Sequence, residues 1–258
     1  MSDRLGLLDL GRRPYAEVLE LQRALCRQRM ASERREDLLL LVEHEPVITL
    51  GRGTRATSLT LSTPELERRG FAVAEVERGG DVTYHGPGQL VGYPVLDLRE
   101  HREDLHWYLR QLEAALISAL AALGVPAERR AGLTGVWTRG RKIASLGIHV
   151  KQWVTFHGFA LNVSTDLRAF EAIVPCGIDG VVMTSVATEL GRTDAPALWT
   201  EAREAVVRAF GTTFGYEAIA RVTLGPDTNA PLVIPSGARD LDREWLEAGR
   251  EGPSLRSG

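Results

Sequence analysis

Short apolar runs alternate along the chain with longer stretches in which apolar residues recur every three or four positions. Over 14–30, Val18, Leu21 and Leu25 keep helical spacing behind Pro14, a residue suited to a first helical turn. Cys26 rides on the same predicted helix. Leu38 to Val42 is five apolar residues in a row, the pattern of a strand buried on both faces. Ser62-Thr63-Pro64-Glu65 has the capping-box form and opens a short predicted helix that stops at Gly70. Strands are predicted for 71–76 and 90–98. The longest predicted helix covers 104–123, with Leu105, Leu109, Leu112, Leu116, Leu120 and Leu123 on one stripe and Gly124 and Pro126 beyond its end. A β-rich stretch follows (136–138, 143–153 and 154–163), and a last helix over 197–210 carries Leu198, Ala202, Ala205 and Val206. Past about residue 225 the composition turns to Pro, Gly, Asp and Arg. Residues 1–224 therefore read as one α+β domain and 225–258 as an arm or poorly ordered tail.

Composition narrows the function classes. The 258 residues carry a formal net charge of −3, which argues against a general nucleic-acid or membrane-surface binder. The start lacks the basic-then-apolar pattern of a secretory signal, and no run approaches the roughly 18 apolar residues of a membrane span, so a cytoplasmic protein is expected. Only two residues are cysteine, Cys26 and Cys176, and only two are lysine, Lys142 and Lys151, against 29 arginines. Two cysteines make no disulfide framework, and no Cys/His cluster or HExxH suggests zinc; His101 and His106, five apart, diverge even on a helix. No metal and no cofactor are expected.

Three segments could carry chemistry. In Arg78-Gly79-Gly80-Asp81-Val82-Thr83-Tyr84-His85 the glycines allow positive φ and close approach to a ligand, or merely a turn between strands. The spacing matches neither nucleotide-binding glycine motif. In 141–151 a flat strand would put Lys142 on one face with Ala144, Leu146, Ile148 and Val150, and Lys151 on the other with Ser145 and His149, unless Gly147 introduces a bulge. A lysine on an apolar face is costly unless paired or put to use, although a strand-end lysine also snorkels to water. In 173–180, Cys176 lies between Pro175 and Gly177 in an irregular segment, where a thiol is a better nucleophile candidate than on an amphipathic helix; the bland alternative is an inert buried cysteine.

Taken in order, the segments resemble the lipoyl(octanoyl) transferases, also called lipoate-protein ligase B. The likeness rests on RGGDVTYHGPGQLVGYP at 78–94, GVWT and RKIASLG at 135–147, HGFALNV at 157–163 and PCG at 175–177, and spans roughly residues 5–215. The family more often has Asn where this chain has Val174. The resemblance implies the mixed-sheet α+β fold of biotin and lipoate ligases, with helices flanking the sheet. It implies transfer of an octanoyl or lipoyl group from acyl carrier protein to a lysine of lipoyl domains of 2-oxoacid dehydrogenases and of the glycine-cleavage H protein. The family's Cys/Lys dyad maps to Cys176 and Lys142, its substrate-binding stretches to Arg78 through His85, to Ser145, Leu146 and Gly147, and to Gly158, Phe159 and Ala160. A monomer is expected. The rival classes are an ATP-dependent lipoate or biotin ligase, which needs no cysteine, and a non-catalytic acyl-binding module.

Overall fold

The computed structural model describes residues 4–174 and 180–223. Cys176 and the whole tail segment 225–258 lie outside the described residues. Eight strands form the main sheet, in the order β11-β1-β2-β6-β10-β9-β8-β7: β1 (Arg4–Arg13), β2 (Asp37–His44), β6 (Gln89–Val95), β7 (Glu128–Arg130), β8 (Leu133–Thr138), β9 (Arg141–Lys151), β10 (Val154–Asn162) and β11 (Ala218–Arg221). The pairs β11–β1 and β1–β2 run parallel and the rest antiparallel, so the sheet is mixed. A second, three-stranded sheet has the order β4-β3-β5, from β3 (Val47–Leu50), β4 (Ala72–Glu75) and β5 (Val82–His85).

The run Leu38–Val42 behaves as its composition demands. Leu39 and Leu41 point into a core shared with α3 (Leu105–Ala122) and α5 (Ala195–Phe214), while Leu38, Leu40 and Val42 point into a second core beneath α1 (Tyr15–Met30). Burying one side chain of this size contributes about 1.5–3 kcal/mol, which is why so apolar a strand takes an interior place in the sheet, between β1 and β6. Along α3, Leu112, Leu116 and Leu120 are buried as the stripe predicts, while Leu105 at its start stays exposed. Asp104 caps that helix by accepting from the Trp107 N–H at 3.0 Å, and Gly124 beyond it takes φ +80°.

The departures from expectation have physical causes. β1 carries no strand prediction, because Gly6 and Asp9 interrupt its apolar run, yet it pairs on both sides. The expected strand over 143–153 ends at Lys151, and Gln152 and Trp153 form a two-residue hairpin turn with φ of +49° and +64° despite being neither Gly nor Asn. Ser62 precedes α2 (Thr63–Arg68) without making a side-chain cap hydrogen bond. The last helix runs on to Phe214, and Gly215 in the left-handed conformation ends it. No helix among the described residues is long and apolar enough to cross a membrane.

Candidate active site

A cleft of about 320 Å³ opens on the α1 side of the main sheet and wraps the stretch of β9 that runs beyond its pairing with β8. Its floor is built from Ser145 and Gly147 on β9, Gly158 and Ala160 on β10, and Val91 and Tyr93 on β6. Gly147 and Gly158 sit directly opposite each other in the ladder, which leaves a side-chain-free trough between the two strands. A Cβ on Gly158 would collide with the Gly92 carbonyl oxygen, so this close approach of β10 and β6 requires glycine there. The roof is the segment 78–83. It crosses β9 where the Gly79 N–H donates to the Ile148 carbonyl at 2.9 Å, and a Cβ on Gly147 would lie 3.0 Å from the Gly79 oxygen and from Arg78 Cδ. Gly147→Ala should therefore lift the roof. The expected result is a substrate KM raised about 10-fold with kcat within threefold, the scale of one methylene in an apolar pocket; steady-state kinetics checks it, and unchanged KM contradicts the assigned roof.

The segment 78–85 does not act as one unit. Arg78 uses its five donors within the protein: Nε and Nη2 on Thr49, Nη1 on the carbonyls of Gly79 (3.2 Å) and Asp81 (2.7 Å). It shapes the glycine turn, in which Gly80 takes φ +83°, and it also lines the cleft. Asp81 accepts from Ser58 Oγ at 2.7 Å and from the Val82 N–H. Val82–His85 is a strand, not a loop, so its side chains alternate. Thr83 and His85 line the cleft, whereas Tyr84 turns away and packs edge-on against Phe71 and Phe170 in the third core. Leu146 and Phe159 also line the cleft.

Tyr15 at the start of α1 lines the cleft from outside every sequence motif, and Tyr93 and His157 line it from within the motifs at 78–94 and 157–163, although neither is among the expected substrate-binding residues. Tyr15 stacks on His85 (5.8 Å between rings), and His44 Nε2 accepts from Tyr93 Oη at 2.8 Å, since its Nδ1–H is committed to the Arg13 carbonyl. His157 takes φ +57° in mid-strand, costly for a residue with a Cβ, and its N–H is held by Gln22 Oε1 at 2.8 Å. Burial keeps these histidines neutral: it pushes His44 down to about 4 and His157 to about 3, and His85 well below its ordinary value. Unfolded histidine binds a proton below about 6.5 and these do not, so they stabilise the fold above pH 6.5. That stability is lost as pH falls through 6.5 toward 4 for His44 and toward 3 for His157. His44 and His157 alone should separate the stabilities at pH 7.5 and pH 5, read from urea unfolding, by about 4 kcal/mol, with His85 adding to the difference; a flat profile contradicts neutral burial.

Lys142 lies on β9 three residues before the cleft floor begins and is almost fully buried. Its Nζ is 5.6 Å from the centre of the Trp137 ring, and its chain passes through the space that a side chain on Gly135 would fill, 2.7 Å from that missing Cβ. Gly135 takes φ +132° and donates its N–H to the buried carboxylate of Glu113 at 3.2 Å. The alternation expected from a flat strand fails here, and not at Gly147. Val136 pairs with Ala144 but Trp137 with Lys142, so Ile143 is the extra residue of a bulge that separates Lys142 from the face of Ala144 and Leu146. Lys142 also meets the chain beyond Cys176. Its N–H donates to the Val182 carbonyl at 2.8 Å and its carbonyl accepts from the Thr184 N–H at 2.9 Å. On the other side of 175–179, the Val174 N–H donates to the Ser58 carbonyl, beside Asp81 of the roof. Lys151, by contrast, is exposed at the far end of β9. Cys26 is buried in α1 with its thiol pushed up to about 11 by burial.

The family model for the lipoyl protein ligase A/B catalytic domain matches residues 14–211. An octanoyltransferase of Geobacter sulfurreducens is 50% identical over 237 residues, covering 92% of this chain and 93% of its own. That of Gloeobacter violaceus is 55% identical over 175 residues, 68% of this chain and 77% of its own. The chain belongs to the octanoyltransferase family. The fold of this family member is that of the lipoate protein ligases. A bipartite lipoate protein ligase from Thermoplasma acidophilum superposes with a TM-score of 0.66 at 20% identity, over 88% of this chain and 89% of that one. A lipoate-protein ligase A bound with ATP gives 0.65 at 18%, over 88% and 91%.

Proposed function

We propose that the chain moves an octanoyl, or lipoyl, group from acyl carrier protein to a lysine of lipoyl domains, those of 2-oxoacid dehydrogenases and the glycine-cleavage H protein, without ATP. It does so as a cytoplasmic monomer. Cys176 is the nucleophile and Lys142 its amine partner. One observation carries the reading: the chain on either side of 175–179 is anchored at the two edges of a single site, Val174 at the cleft roof through Ser58 and Val182–Thr184 on the main chain of Lys142. Only two peptide units separate Cys176 from Val174, each advancing the chain about 3.8 Å.

The chemistry then balances proton by proton. The pair rests partly as thiolate and ammonium, and an ammonium about 4 Å from sulfur contributes roughly 4 kcal/mol at an effective dielectric near 20. Cys176 attacks the donor thioester; as the donor thiolate leaves, the Lys142 ammonium protonates it. The acceptor lysine's amine attacks the enzyme thioester, neutral Lys142 takes its proton, and Cys176 departs as thiolate. Exchange of one thioester for another is nearly balanced and formation of the amide is downhill, so no nucleotide is needed. The glycine trough and its apolar walls hold the acyl chain. Octanoyl-acyl carrier protein and an apo lipoyl domain, incubated with the protein and no nucleotide, should yield octanoyl-lysine detectable by intact-mass spectrometry. A product that forms only with ATP would instead make this a ligase.

A further inference from the structure

A line of buried polar side chains leaves the cleft at His85 and ends on the main chain of Lys142. Gln89 and Asn162 are a directly opposed pair at the ends of β6 and β10, and both are about 99% buried, as is Thr184. Carbonyls, which only accept, fix the orientation of the two amides. Gln89 Nε2 donates to the Tyr84 carbonyl (3.1 Å) and to Asn162 Oδ1 (3.0 Å). Its Oε1 is therefore the acceptor 2.8 Å from His85 Nδ1, which must carry the ring proton. At the other end, Asn162 Nδ2 donates to the Thr184 carbonyl at 3.0 Å, and the Thr184 N–H donates to the Lys142 carbonyl. The contact of 182–184 with Lys142 is an isolated bridge, Lys142 against Met183, rather than part of a strand ladder. A bridge of this kind gains little from cooperativity, and the Asn162 amide ties it to the sheet floor beneath the cleft, alongside the Ala187 N–H on the Val163 carbonyl and Thr184 Oγ1 on Glu189.

We propose that Asn162 and Gln89 are positioning residues for acyl transfer. They hold Val182–Thr184 on Lys142 and so set where the Lys142 amine stands relative to the cleft. The same hydrogen-bond line fixes the His85 tautomer in the cleft wall, coupling the acyl site to the amine. This inference rests on the reading of Lys142 as the active-site amine.

The test uses Asn162→Leu and Gln89→Met in the full chain, with Asn162→Ser in reserve should the leucine variant fail to fold. Because a displacement near 1 Å costs up to about 100-fold, kcat for octanoyl transfer should fall about 10- to 100-fold while KM for octanoyl-acyl carrier protein stays within threefold. The acid limb of the pH–rate profile should move to higher pH, since a withdrawn ammonium no longer favours the thiolate. The double variant should lose much less than the product of the two single losses, the mark of one shared network. Unchanged kcat, or an unmoved acid limb in folded variants of lowered thermal stability, would overturn the proposal and leave the network purely structural. Lys142→Met, assayed alongside, separates the two levels: full activity there sinks the functional reading, whereas a dead Lys142→Met beside normal Asn162 and Gln89 variants sinks only the positioning.

Discussion

Cys176→Ala should lower octanoyl transfer by at least about 10³-fold while the protein stays folded. Removing a covalent nucleophile forces a direct attack of lysine on the donor thioester, and only binding and positioning remain to accelerate it. No other thiol should substitute for it, because the sequence holds one other cysteine, Cys26, whose thiol is pushed up to about 11 by burial in α1. Cys26→Ala should accordingly transfer at the normal rate. Rates are read from the appearance of octanoylated lipoyl domain. A Cys176→Ala rate within tenfold of normal would remove the covalent mechanism, although the family assignment and the cleft would stand.

The second large effect is expected at Lys142. Lys142→Met keeps an unbranched chain that fills the slot over Gly135 and the contact with Trp137, but loses the amine. General acid and base roles of this kind are worth about 10²- to 10⁴-fold, so kcat should fall by at least about 100-fold with thermal stability little changed. On the proposed pairing, removal of the charge would also take from the Cys176 thiol the cation that favours its thiolate, so alkylation of Cys176 by iodoacetamide at neutral pH should slow together with transfer. Transfer and alkylation rates that both stay normal would deny Lys142 its part.

The sequence carried the local rules well and the long-range ones poorly. Leu38–Val42 announces a strand buried on both faces, and the leucine stripe at 112, 116 and 120 announces the helix that covers one of them. The quoted motifs put most of the cleft lining within reach, because Ser145–Gly147 and Gly158–Ala160 are adjacent strands of one hairpin. What stayed hidden depends on pairing between distant segments. No pattern within 78–85 separates the clamp formed by Arg78, the strand alternation that turns Tyr84 away, and the face that His85 presents to Tyr15, 70 positions earlier. The bulge at Ile143 is equally silent, since it comes from the register of β9 against β8 and not from a glycine. Tyr15 and His157 carry no chemistry until α1 packs on β10 and Tyr15 meets His85 of the second sheet.

The central claim is that the acyl group passes through a thioester on Cys176. Its most direct test is peptide mass spectrometry of the protein after brief incubation with octanoyl-acyl carrier protein and no acceptor, at mildly acidic pH to preserve thioesters. The octanoyl mass is predicted on the peptide containing Cys176, labile to hydroxylamine, absent from Cys176→Ala and discharged by adding apo lipoyl domain. An adduct that persists in Cys176→Ala, or transfer at full rate with Cys176 never acylated, would contradict the account.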